Sequence, residues 1–60
     1  MKTIFYYEGG KSPILTVDKF IVPVKKHEVV KISLRRYHVV DAYWDVTDCV
    51  PHYLVFVKQI

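Results

Sequence analysis

Sixty residues with a formal net charge of +3 make room for one small domain, residues 1–60, and exclude a multidomain arrangement. The apolar share of 52% and aromatic share of 15% exclude a disordered or low-complexity segment. A single cysteine, Cys49, excludes an internal disulfide. A chain this short hides only about 60% of the surface its unfolded form exposes, so the core is marginal and a homo-oligomer is an open alternative.

The chain begins with a β-favouring run, residues 3–8, that Gly9-Gly10 ends. Pro13 cannot sit inside a central strand, so the second strand starts after it with residues 14–17. Residues 20–22 extend that strand beyond a bulge or break at Asp18-Lys19. Val22-Pro23-Val24 favours extended geometry, because a residue before proline is pushed out of the helical region. Residues 25–28 read as a polar turn. Residues 29–34 then alternate, with Val30, Ile32 and Leu34 on one side and Val29, Lys31 and Ser33 on the other. A helix over residues 25–36 is the weaker reading, since adjacent valines are poor helix formers and no cap precedes Lys25.

Arg35-Arg36 reads as the tip before the longest pleat-favouring stretch, residues 37–46, taken as the central strand. Strict alternation gives it a core face of Val40, Ala42, Trp44 and Val46. The opposite face carries Tyr37, Val39, Asp41, Tyr43 and Asp45. Residues 47–51 form a loop around Asp48. The last strand spans residues 52–58 and is apolar on both faces, so one face meets the core and the other a neighbour or partner. Five short strands with tight turns predict an all-β fold, a small five-stranded antiparallel barrel that removes its edges by closure. An SH3-like arrangement fits the spacing best.

Val22-Pro23, Val30-Lys31-Ile32, Tyr37-His38-Val39-Val40 and Tyr43-Trp44-Asp45 together resemble a pattern in short phage and prophage proteins with SH3-like barrels. The family's glycines at the polar turn and the tip are replaced here by residues 25–28 and by Arg35-Arg36. The resemblance implies a barrel and a phage-like origin, and transfers no active residue.

Catalytic chemistry finds little support. Asp41 and Asp45 are about 13 Å apart at ~3.3 Å per strand residue, too far for a carboxylate acid–base pair. Cys49-x-x-His52 has ligand-like spacing, but no second pair exists, and alternation sets His38 and Asp41 on opposite faces. Gly9-Gly10 lacks the lysine and helix of a phosphate loop. No metal, no cofactor and no enzymatic activity are therefore expected. The longest uncharged run is far too short to cross a bilayer, and the N-terminus lacks the apolar middle of a signal peptide, so a cytoplasmic protein without membrane contact is expected.

A non-catalytic binding protein remains, one that blocks or redirects a host protein through Tyr37, Asp41, Tyr43, Asp45, Arg35 and Arg36. The alternative is a nucleic-acid or nucleotide binder that uses Lys25, Lys26, Lys31, Arg35 and Arg36 with exposed tyrosines. A structural subunit of a phage assembly is a third reading. The aspartates beside Tyr37 and Tyr43 would repel phosphate, which favours protein.

Overall fold

Strands form where β-branched and aromatic residues cluster, and they break at glycine, at proline and at left-handed turn positions. The computed structural model describes residues 2–19 and 24–60, the side chain of Asp48 aside. Its strands are β1 (Lys2–Tyr7), β2 (Pro13–Val17), β3 (Val29–Ile32), β4 (Arg35–Asp45) and β5 (His52–Gln59), with a 3-10 turn at Thr47–Cys49. They make one sheet in the order β2-β1-β5-β4-β3, curled into a half-barrel. The expected extension of the second strand over residues 20–22, like Pro23, lies outside the described residues.

The turns explain the connections. Gly9 takes φ of 72°, and the Gly10 N–H donates to the Tyr7 carbonyl at 2.8 Å. Pro13 opens β2, a position that tolerates a missing N–H. In the polar turn before β3, the Glu28 N–H donates to the Lys25 carbonyl, and the Glu28 carboxylate accepts from the Lys25 N–H. His27 carries the left-handed geometry of that turn, with φ of 79°.

Two expectations about connectivity are corrected. The sheet is not purely antiparallel: β1 runs parallel to β5, with Thr3 opposite Tyr53 and Phe5 opposite Val55. β5 returns to insert between β1 and β4, which makes it, rather than β4, the middle strand. This is why its sequence is apolar on both faces. The tip is not Arg35-Arg36 either. Ile32 pairs with Arg35 and Lys31 with Arg36, so the two-residue turn is Ser33-Leu34, with Ser33 at φ of 58°. Leu34, expected to point inward, lies in that turn and is 90% exposed.

The core lies on one face of the sheet. Phe5, Tyr37, Val39, Tyr53, Val55 and Val57 are buried there, with Ile14, Val17, Val24, Val30, Ile32 and Ala42 packed around them. The expected faces of residues 37–46 fail because Val39 pairs with Val57 while Asp41 pairs with Phe56, leaving Val40 unpaired in a bulge. N-terminal to the bulge the inward residues are Tyr37 and Val39; beyond it Ala42 packs against the core, while Trp44, expected in the core, shares that side opposite Tyr53 but is 46% exposed. Val46 falls past the strand end and is 65% exposed. A second bulge, at Ile14, sits between the pairs Phe5–Leu15 and Tyr6–Pro13. The two bulges bend the sheet around its inner side chains.

Two inward hydroxyls fasten the chain across one end of this face. Buried Thr3 donates through Oγ1 to the Lys19 carbonyl at 3.1 Å, and the Tyr53 hydroxyl donates to the Val24 carbonyl at 2.9 Å. The phase of β4 is testable by a pair of substitutions. Val39→Ala should cost about 2 kcal/mol, at ~0.8 per buried methylene plus the void left behind. Val46→Ala should stay within about 0.5 kcal/mol, as an exposed change does. Chemical denaturation of the two variants reads the difference.

Candidate functional site on the outer sheet face

The face opposite the core carries the unusual surface chemistry. On β1 it presents Tyr6, on β5 Phe56, and on β4 Tyr43, because Tyr6 lies opposite Phe56 and Tyr43 is diagonal to it, opposite Leu54. The three rings stack in a row. Tyr6 and Phe56 have centroids 5.5 Å apart with an interplanar angle of 18°; Tyr43 and Phe56 are also 5.5 Å apart, at 24°. Phe56 therefore has both ring faces covered by tyrosines. The outer end of the row is Tyr43, which is 47% exposed.

Beside this ladder is an open hollow of about 350 Å³ lined by Glu8, Gly9, Val40, Asp41, Tyr43 and Phe56. The bulge makes it: Val40 and Asp41 follow one another on the outer side instead of alternating. Glu8 is set in place by its N–H, which donates to the Val57 carbonyl at 2.9 Å. Asp41 accepts the Ala42 N–H through Oδ1 at 2.9 Å, which orients the carboxylate.

The sequence-derived residues divide. Asp41 and Tyr43 come together on the outer face as expected. Tyr37 does not join them: it is 5% exposed on the core side, where the bulge puts it. Asp45 shares the outer face but is occupied in the turn, accepting the Thr47 N–H at 3.1 Å and the Thr47 hydroxyl. Arg35 and Arg36 are exposed and adjacent in β4, so they point to opposite sides. Arg36 joins Lys31 on the outer side, whereas Arg35 lines the mouth of the half-barrel with Leu34 and Ile32. Lys25 and Lys26 are exposed in the turn before β3. Phe56 and Glu8 were not singled out by sequence, and Tyr6 only as one of the tyrosines of the nucleic-acid alternative. The one signal for Phe56 was the two-faced apolarity of its strand.

The bulge also reverses the relation of His38 and Asp41. They pair with Lys58 and Phe56, which are two residues apart on one strand, so both face outward. His38 lies against His27, centroids 5.9 Å apart. Among the described residues, no three of histidine, cysteine, aspartate or glutamate gather as a metal site. Cys49 is exposed in the 3-10 turn at φ of 61°.

At the mouth of the half-barrel the hydroxyls of Tyr7 and Tyr37 meet at 3.4 Å, with their rings in an edge contact at 5.9 Å. The hydrogen bond with Tyr7 holds the Tyr37 phenol above its ordinary value of 10.0, burial adds to the rise, and Arg35 opposes it. A raised folded-state value means the native chain keeps a proton that the unfolded chain gives up. That stability is fully present below pH 10 and is lost as pH climbs through the folded value. Denaturation midpoints measured on either side of pH 10 should fall with rising pH, and Tyr37→Phe should flatten that fall.

Comparison of the chain with protein-family models, curated proteins and solved structures finds no match.

Proposed function

We propose that this chain is a non-catalytic protein-binding module whose contact surface is the outer sheet face around Tyr43, Asp41 and Phe56. The observation that carries this reading is the aromatic ladder with carboxylates at its side. Aromatic rings concentrated on one exposed face are what protein-contact hot spots use. The same geometry argues against a base-stacking platform. Such a platform needs open ring faces, and here the rings cover one another. Asp41 and Glu8 would also repel a phosphate backbone passing over the ladder.

The resemblance to phage SH3-like barrel proteins supports a host protein as the partner, bound so as to block or redirect it. Lys31 and Arg36, on the same outer side, extend the surface with positive charge and suit a partner of mixed polarity. The competing nucleic-acid reading draws on the exposed Lys25, Lys26, Lys31, Arg35 and Arg36. Its weakness is that these residues lie on β3, in the turn before it and at the start of β4, to one side of the ladder, with Arg35 turned to the other face.

Affinity capture from bacterial lysate tests the proposal. Wild type should retain one stoichiometric protein, and Tyr43→Asp should lose it, because a charge at the ladder's exposed end leaves the core intact. Arg35→Ala should retain it. Binding to single-stranded nucleic acid that falls steeply with salt and is lost on Arg36→Ala would overturn the reading in favour of the alternative. A stable oligomer of the chain alone with no captured partner would favour an assembly subunit.

A further inference from the structure

The reading of the outer face as a protein-contact surface underlies one further step, which names what that contact takes. We infer that the hollow between the Gly9 turn and β4 receives an arginine side chain of the partner protein. Its lining joins Tyr43, the exposed end of the ladder, and Phe56 with two acidic residues, Glu8 and Asp41, that are remote in sequence. Two carboxylates stabilise a cation, and Tyr43, at the exposed end of the ladder, is the ring that can add to this, since Phe56 is covered on both faces. The carboxylates disfavour an anion, and a neutral apolar group would leave both charges against it.

Among the described residues, no cation of the chain itself lines the hollow. Among the described residues the ion pair is Lys2 with Asp18, at 3.8 Å and away from the hollow. Lys58 lies two residues from Phe56 on the outer face, yet it does not line the hollow and makes no ion pair with Glu8 or Asp41. Two acidic groups thus share one small aromatic recess with no internal cation between them, an arrangement that a ligand's positive charge relieves.

Arginine fits better than lysine on chemical grounds. A guanidinium is planar, so it can lie along the exposed Tyr43 ring while its forked donors reach carboxylates at its edges. An ammonium is a compact, strongly hydrated point charge and serves one carboxylate well. Asp41 is already oriented by the Ala42 N–H through one oxygen, which leaves the carboxylate held for a second donor.

The test uses the whole chain, isotopically labelled, titrated with N-acetyl-arginine amide and followed by amide NMR shifts. Matching titrations use the lysine compound and the citrulline compound, the latter having nearly the arginine shape without its charge. Saturable shifts centred on Gly9, Asp41 and Tyr43 are expected, strongest with arginine, weaker with lysine and absent with citrulline. Glu8→Gln and Asp41→Asn should each weaken arginine binding by about tenfold, the worth of one hydrogen bond to a charged group. Both residues are exposed and both changes keep the side-chain shape, so the fold should persist.

Equal shifts with citrulline, stronger binding of lysine, or indifference to both substitutions would overturn the assignment. So would a dimer of the chain that Asp41→Asn dissolves, since Arg35 or Arg36 of a second copy would then be the occupant. If the captured partner is lost on Tyr43→Asp but kept by both carboxylate variants, the arginine assignment falls and the protein-contact reading stands. Capture that ignores all three variants overturns both.

Discussion

The bulge at Val40 changes the phase of β4 partway along its length, and most of what the molecule presents to solvent follows from that. Strand side chains alternate with a period of two, so one extra residue exchanges the faces of everything beyond it. Here the exchange lets Tyr37 and Val39 serve the core before the bulge and Ala42 after it, with Trp44 on the same side but 46% exposed. Without an extra residue, a strand with Tyr37 and Val39 inside would also carry Asp41 and Tyr43 inside. A buried, unpaired carboxylate costs far more than a half-filled core position gains. The bulge therefore reconciles two apolar half-patterns that no single register satisfies, and its by-product is the recess that holds Asp41 beside Phe56.

The insertion of β5 between β1 and β4 is the second constraint. A middle strand has neighbours on both edges, so each of its faces is flanked by side chains of β1 and β4. Tyr53, Val55 and Val57 supply the core side, and Leu54 and Phe56 the outer side. Phe56 cannot be shielded by a second layer, so it is shielded sideways, by Tyr6 from β1 and Tyr43 from β4. The aromatic ladder is thus first a solution to a packing problem in a small sheet. Its exposed end at Tyr43 is what makes it usable as a contact surface.

How much of this the sequence disclosed depends on the element. The breaks at Gly9-Gly10 and residues 25–28 were legible because each rests on local conformational chemistry that no distant contact overrides. The β3–β4 tip was misplaced by two residues because a left-handed Ser33 starts the turn early, and serine does not announce that geometry as glycine would. The parallel β1–β5 pair was not legible at all. It joins the two ends of the chain, and no local signal distinguishes a strand that closes on its predecessor from one that travels to the far side of it. The faces of β4 show an intermediate case. Alternation anchored on Trp44 assigns Ala42 correctly and then runs through Val40 in the wrong phase. Tyr37 was consequently placed in the contact surface, while the residues that do flank Asp41, namely Glu8 and Phe56, come from strands whose adjacency was not visible.

Charge distribution on the outer face follows from the same register and gives the surface a direction. Toward the β3 edge it carries Lys31, Arg36 and Lys58, with His38 among them. Past the bulge it turns acidic and aromatic, with Asp41 and Tyr43 on β4 and Glu8 at the end of β1. The net charge of +3 therefore hides a dipolar face, and the acidic part coincides with the concave part. Charges in a recess with low-dielectric walls act more strongly on a ligand than the same charges on a flat, hydrated edge. The residues of the basic strip, Lys31, Arg36 and Lys58, are solvent-exposed, where water and salt screen them well. On the proposed reading, a partner that meets this face would be oriented by the strip and discriminated by the recess, whose charge favours a cation, against the sign of the protein's overall charge.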